Sequence, residues 1–159
     1  MKAWRTMESF VDEGKVRGLG ISNCYDYETF TTLYEMAIHK PKVLQNRLYA
    51  ESNFDTQLRQ FCKESGIWYQ SFWTLTANRE ALALPAVEEL ADSKNLTPQT
   101  LMFAFLMSLG YVTPLSGTTS KEHMAQDVAV MERIQGGEVF FESEEALRNM
   151  AQYLGMPDL

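Results

Sequence analysis

Gly18-Leu19-Gly20-Ile21-Ser22-Asn23 is the stretch on which the reading of this chain turns. With Lys15 to Arg17 before it, it reads as a short buried strand that runs out into Ser22 and Asn23, both good turn residues. Ahead of it, Trp4, Met7, Phe10 and Val11 fall at helical spacing, and Gly14 stands where a C-terminal cap glycine belongs. Behind it, Tyr27 to His39 returns to a helical pattern, with Phe30, Leu33, Tyr34 and Ile38 on one face and Asp26 as N-cap. The strand therefore sits between two helices.

The same alternation continues to the end of the chain. Pro41 stops the second helix, and Val43 to Tyr49 reads as the next strand. Asp55 to Glu64 forms a helix presenting Leu58, Phe61 and Cys62, closed by Ser65-Gly66, and Ile67 to Phe72 is a third strand. Trp73 to Leu84 reads as a long loop. Pro85 opens a helix to about Ser93, and Thr97-Pro98 starts another that ends at Gly110. Tyr111 to Leu115 is a fourth strand. Ser120 caps a helix over Lys121 to Arg133, and Ser143 caps a last one through Leu154. Strand starts near 15, 43, 67 and 111 leave room for crossover helices, so the class is α/β with parallel βα units. A TIM barrel and a doubly wound sheet both fit that order. No Gly-x-Gly-x-x-Gly follows any strand, which disfavours a classical Rossmann site.

With 159 residues, one domain over 1–159 is expected. A hydrophobic content of 45% with 22% charged residues is ordinary for a soluble globular chain. The net charge of −7 repels nucleic acid and anionic membranes alike, so neither is an expected partner. No run of about 18 apolar residues is present, and the first residues read as helix with no signal-peptide core. Cys24 and Cys62 lack metal spacing and a disulfide framework; free thiols in a reducing, cytoplasmic setting are the simpler expectation.

Five segments, in order, resemble the aldo-keto reductase family. They are Asp12-Glu13-Gly14-Lys15-Val16 with the strand quoted above, Pro41-Lys42-Val43-Leu44-Gln45-Asn46, Leu58 to Ile67, Leu96 to Phe105, and Gly117 to Asp127. Any one is weak, but together they cover nearly the whole chain. The resemblance implies the C-terminal half of a (β/α)8 TIM barrel, four strands with flanking helices, carrying the nicotinamide-cofactor side. In that family the catalytic Asp, Tyr, Lys and His come from the other half, so no catalytic residue is carried over. Tyr25, Tyr49 and Tyr69 are proton donors by type only, with no neighbour placed by motif to tune them.

What the resemblance assigns, the bare residues also allow otherwise. Ser22 and Asn23 would hydrogen-bond the nicotinamide carboxamide from the strand end where TIM-barrel sites are built; they are also simply turn formers. Gln45 would bind the same carboxamide, or else hydrogen-bond a neighbouring strand. Phe72 stands where the family's ring-stacking aromatic, usually tyrosine, is found, and core packing is its alternative. Trp73 replaces the usual small residue and would crowd the pocket. Gly117, Thr118 and Thr119 precede a helix whose free N–H groups suit a phosphate, although Ser120 capping explains them too. His123 falls where an arginine pairs with the 2′-phosphate, and Gln126 and Asp127 share its helical face near the adenine; Asp127 replaces an asparagine. The implied cofactor is NADP or NAD, bound more weakly than in the parent family.

Half a barrel has open edges at its first and last strands and inward residues, including Leu19, Ile21, Leu44 and Leu48, without an opposing layer. A second copy or another chain completing the barrel is the expected partner, with a small carbonyl compound as substrate. The functional expectation is NAD(P)H-dependent carbonyl reduction once completed, with impaired catalysis alone. The alternative is a non-catalytic binding or assembly module built on the truncated barrel.

Overall fold

The computed structural model describes residues 1–156. Helix α1 (Lys2–Asp12) leads to strand β1 (Gly20–Ser22), then α2 (Tyr27–Met36) and β2 (Val43–Arg47). A 3-10 turn (Ala50–Asp55) and α3 (Thr56–Ser65) lead to β3 (Trp68–Phe72). Two single-turn helices follow, α4 (Thr74–Ala77) and α5 (Arg79–Leu82), then α6 (Pro85–Ser93) and α7 (Pro98–Ser108). The fourth strand, β4 (Val112–Pro114), precedes α8 (Lys121–Gln135) and α9 (Glu144–Leu154). All strand pairs are parallel and the spatial order is the chain order, β1-β2-β3-β4. Each crossover therefore advances one strand in one direction. A doubly wound sheet reverses at a switch point, whereas an arc of a barrel does not.

Burial alternates along the strands and shows which face the helices cover. Ile21, Leu44, Tyr69 and Val112 lie side by side in register, and the last three are at most 2% exposed. They pack with Phe30, Leu58, Cys62, Val87, Leu101 and Phe105 in the main core. The other face carries Val43, Gln45, Arg47, Trp68, Gln70 and Phe72, none of them fully buried, with Trp68 52% exposed. Leu44 and Leu48 thus point toward the helices and are fully enclosed, contrary to the expectation that they line an uncovered inner layer. Leu19 is likewise buried, against Trp4 and Ala37. The residues left open on the inner face are mostly polar or aromatic.

Three other expectations are corrected. Only Gly20–Ser22 of the 15–22 stretch joins the ladder, where β2 passes so close that a Cβ at Gly20 would lie 3.0 Å from the Val43 carbonyl oxygen. The second helix ends at Met36, not His39, because Ala37 turns to an extended conformation; Ile38 is consequently 73% exposed. The stretch from Trp73 to Leu84 is not a plain loop. Buried Asn78 donates through Nδ2 to the carbonyls of Leu48 (2.9 Å) and Thr74 (2.7 Å), and so pins α4 and α5 against the end of β2. Turns of four residues are too short to show a periodic stripe.

Helix α7 has Thr100 to Leu106 all buried, so it runs through the core rather than along its surface. A reciprocal cap between Thr97 and Thr100, with Pro98 at the first position, fixes its start. Cys24 and Cys62 are buried free thiols, and burial pushes that of Cys62 up to about 12. Among the described residues no helix is long and apolar enough to cross a membrane.

Leu44→Ala should cost ~3 kcal/mol in urea unfolding, because the cavity opens at the centre of the helix-covered face, while Ile38→Ala should change stability by no more than about 0.5 kcal/mol. A buried carboxylate gives a second test. Burial pushes the Asp55 carboxyl above its ordinary 3.8, against the hydrogen bonds from Asn46, Tyr69 and Ser52 and the charge of Arg59. The folded chain then binds that proton more tightly than the unfolded one, so this group's contribution falls as pH rises from about 3.8 toward the raised value. Asp55→Asn should remove that slope. Chemical denaturation across the acid range would show the wild type losing ground to the variant as pH increases.

Candidate functional site

The C-terminal ends of β1, β2 and β3 bring Ser22, Asn23, Gln45 and Phe72 to one rim of the inner face. Ser22, Gln45, Gln70 and Thr113 occupy one register row across all four strands, a polar band where the inner face reaches the rim. Asn23 is left-handed, with φ 58°, and donates its backbone N–H to the Gln45 carbonyl at 3.0 Å. Its Nδ2 donates to Ser22 Oγ (3.1 Å), and its Oδ1 accepts from the Tyr25 hydroxyl (3.4 Å). The loop behind them is clamped by buried Asn46. Its Oδ1 accepts from the Cys24 N–H, and its Nδ2 donates to the Cys24 carbonyl and to Asp55 Oδ2, both at 2.7 Å. Asp55 Oδ2 also accepts from the Tyr69 hydroxyl at 2.9 Å.

Gln45 realises the plainer of its two readings in part. Its Nε2 donates to Gln70 Oε1 at 2.9 Å, an internal bond to the next strand. An amide has two donors and a two-lone-pair acceptor, so this bond orients Gln45 and leaves it binding capacity. Gln70 was missed in the sequence. It is a second amide in a short strand, and the exact register needed to pair the two is not written in either segment.

A groove of about 770 Å³ adjoins this rim. Six of the ten sequence-assigned residues line it: Phe72, Gly117, Thr118, His123, Gln126 and Asp127. Ser22, Asn23 and Gln45 lie outside its lining on the sheet side, and Thr119 is exposed and does not line it. Phe72 belongs to both regions. Ser120 caps α8 by accepting from the His123 N–H (3.4 Å), and Thr118 Oγ1 accepts from the Ser120 N–H at 3.1 Å and lies 3.5 Å from His123 Nδ1. Asp127 Oδ2 accepts from Ser116 Oγ at 2.6 Å, tying helix to loop. Trp73, 54% exposed, lines the groove without filling it.

Arg79, on α5, also lines the groove, and no hydrogen bond or ion pair engages its side chain among the described residues. The sequence carries no signal for it, because α5 is a single turn too short to show helical periodicity. Of the tyrosines considered as donors, Tyr69 is buried beneath the sheet, its hydroxyl pushed well above its ordinary range by burial and by Asp55. Tyr25 reaches the rim, but its hydroxyl accepts from the Arg47 N–H and donates to Asn23. His39 holds Asp12 at 2.7 Å, far from the groove lining. No trio of acidic, His or Cys side chains among the described residues could hold a metal ion.

A profile of the aldo/keto reductase family matches residues 1–135. The chain belongs to this family. An uncharacterized oxidoreductase of Schizosaccharomyces pombe is 30% identical over 133 residues, covering 80% of this chain and 44% of that protein. The 9,11-endoperoxide prostaglandin H2 reductase of Trypanosoma cruzi is 28% identical over 129 residues, with the same coverage. A thermostable aldo-keto reductase solved with the inhibitor epalrestat superposes with a TM-score of 0.76 at 20% identity, over 94% of this chain and 53% of that one. The chain thus spans about half the length of the family members it matches, and their barrels supply the frame in which its four-stranded arc is read.

Proposed function

We propose that this chain is the nicotinamide-dinucleotide-binding half of an NAD(P)H-dependent carbonyl reductase, impaired in catalysis alone and competent when another chain supplies the missing half of the barrel. The supporting observation is the position of Phe72, which joins the in-register amide band to the groove that ends at the start of α8. That continuity suits a long ligand with an amide-bearing ring at one end and phosphates at the other. Ser22, Asn23 and Gln45 would hold the carboxamide, and Phe72 would stack on the ring. Gly117, Thr118 and the free N–H groups of α8 would take a phosphate, with Arg79 adding a guanidinium in the same groove. Bound there, the cofactor supplies a hydride. Among the described residues, the Tyr25 hydroxyl at the rim is spent on Asn23 and the Arg47 N–H, and no lysine or histidine hydrogen-bonds the hydroxyl of Tyr25 or Tyr49.

Completion is supported by what remains uncovered. Strands β1 and β4 each have one unpaired edge. Met124, Val128 and Met131 form an exposed stripe on α8, the helix that follows β4, and Trp68 stands open on the inner face. A family barrel buries such surfaces by closing.

Titration with NADPH and NADH tests the cofactor half of this reading, using the indole of Trp73 in the groove as reporter. Saturable quenching below millimolar cofactor is expected; none at millimolar cofactor would favour the non-catalytic assembly module. His123→Arg should tighten NADPH about tenfold, ~1.4 kcal/mol, with NADH moving less than about twofold, because only the former carries the phosphate that a guanidinium can grip with two N–H groups. Carbonyl reduction by the isolated chain would refute its impairment.

A further inference from the structure

Among the described residues, Arg47 is a rim cation without an acceptor. It ends β2 on the inner face, paired in register with Phe72 and two residues beyond Gln45. Its guanidinium carbon lies 4.0 Å from the ring centre of Trp73, 5.2 Å from that of Tyr49 and 6.0 Å from that of Phe72. Three aromatic rings surround it, but no hydrogen bond or ion pair engages its side chain, and its buried Nε has no partner. By contrast, Arg5, Arg133 and Arg148 each grip a carboxylate.

Stacking explains the position of the group but not its hydrogen bonds. A guanidinium lying against a ring keeps its N–H edge free in its own plane, the arrangement that meets two oxygens of a planar acid. A buried N–H left without an acceptor is costly, and an oxygen acceptor brought to it would recover that cost. The phosphate donors at Gly117 and Thr118 follow β4, and β3 stands between that strand and β2. Arg47 is therefore separate from the phosphate end, on the nicotinamide side.

We infer that Arg47 is an anchor for the carboxylate of an acidic carbonyl substrate, a 2-oxo acid or its close chemical relatives, held beside the ring that Phe72 stacks. This rests on the cofactor reading above. The substrate class follows from the distance along one strand: two residues separate Arg47 from Gln45, ~7 Å, so acid and reacting carbonyl must lie close together in one small molecule.

The test follows the Arg47 Nε–H and Trp73 indole signals of the 15N-labelled chain by NMR, with pyruvate, neutral hydroxyacetone and inorganic phosphate as probes, each with and without NADPH. Pyruvate should shift both signals saturably at millimolar concentration, hydroxyacetone should not, and phosphate should act at least tenfold more weakly. Arg47→Met should weaken the pyruvate response tenfold or more. Arg47→Lys, which keeps the stacked cation, should weaken it several-fold and guards against a folding defect. No pyruvate response, one equal to that of phosphate, or one unchanged in both variants overturns the assignment and leaves Arg47 to meet an acidic side chain of the completing half. NADPH binding with no pyruvate response sinks this inference alone. A pyruvate response without NADPH binding leaves the anion anchor standing and sinks the cofactor reading.

Discussion

The site hangs on one buried amide. Asn46 lies on the helix-covered side of β2 and holds both the N–H and the carbonyl of Cys24, so the loop leaving β1 is fixed to the neighbouring strand by two hydrogen bonds. Asn23 and Ser22 precede that clamp directly, and Asn23 can hold its left-handed backbone because the residue after it is anchored. The remaining Asn46 donor goes to Asp55, whose oxygen also receives the Tyr69 hydroxyl, so β1, β2, β3 and the 3-10 turn meet in one dry network. Such networks specify geometry strongly when every member is satisfied. Here that is achieved beneath the sheet, leaving the opposite face free for polar side chains.

Parallel pairing without offset then does the rest. Because side chains alternate, the row Ile21-Leu44-Tyr69-Val112 enters the core, and the next row, Ser22-Gln45-Gln70-Thr113, must face the other way. One register thus sets the packing layer and the polar band together. The same alternation explains how half a barrel keeps a dense core: the large apolar residues face the helices, which the chain supplies itself, while the inner face carries groups that tolerate water. A slip of one residue would put Gln45 into the core and Leu44 on the rim.

The element order, parallel direction and family resemblance were readable in the sequence because each rests on local signals: Asp26, Thr97, Ser120 and Ser143 all accept the hydrogen bonds expected of caps. What was not readable depends on contacts distant in the chain. Leu44 and Leu48 are equally apolar whether they face a barrel interior or a helix layer, so only the register assigns their side. The short helices around Asn78 form because that side chain finds the Leu48 carbonyl 30 residues away. Gln70 and Arg79 carried no motif, and their roles appear only when the strand row and the groove are assembled.

Charge sharpens the functional picture. The chain carries a net −7, yet the groove and its rim hold two cations, Arg47 and Arg79, that no carboxylate among the described residues neutralises. The one acid lining the groove, Asp127, is already engaged by Ser116. A surface that repels anions in general would gain nothing from two free arginines unless they act at short range, where pairing in a partly enclosed, lower-dielectric pocket outweighs the screened field of distant charges. One stands at the amide end beside Phe72, the other in the groove shared with the start of α8. Two separated anionic groups on bound ligands, a phosphate and an acid, satisfy that arrangement, and a neutral carbonyl compound would leave the rim arginine without its counterpart.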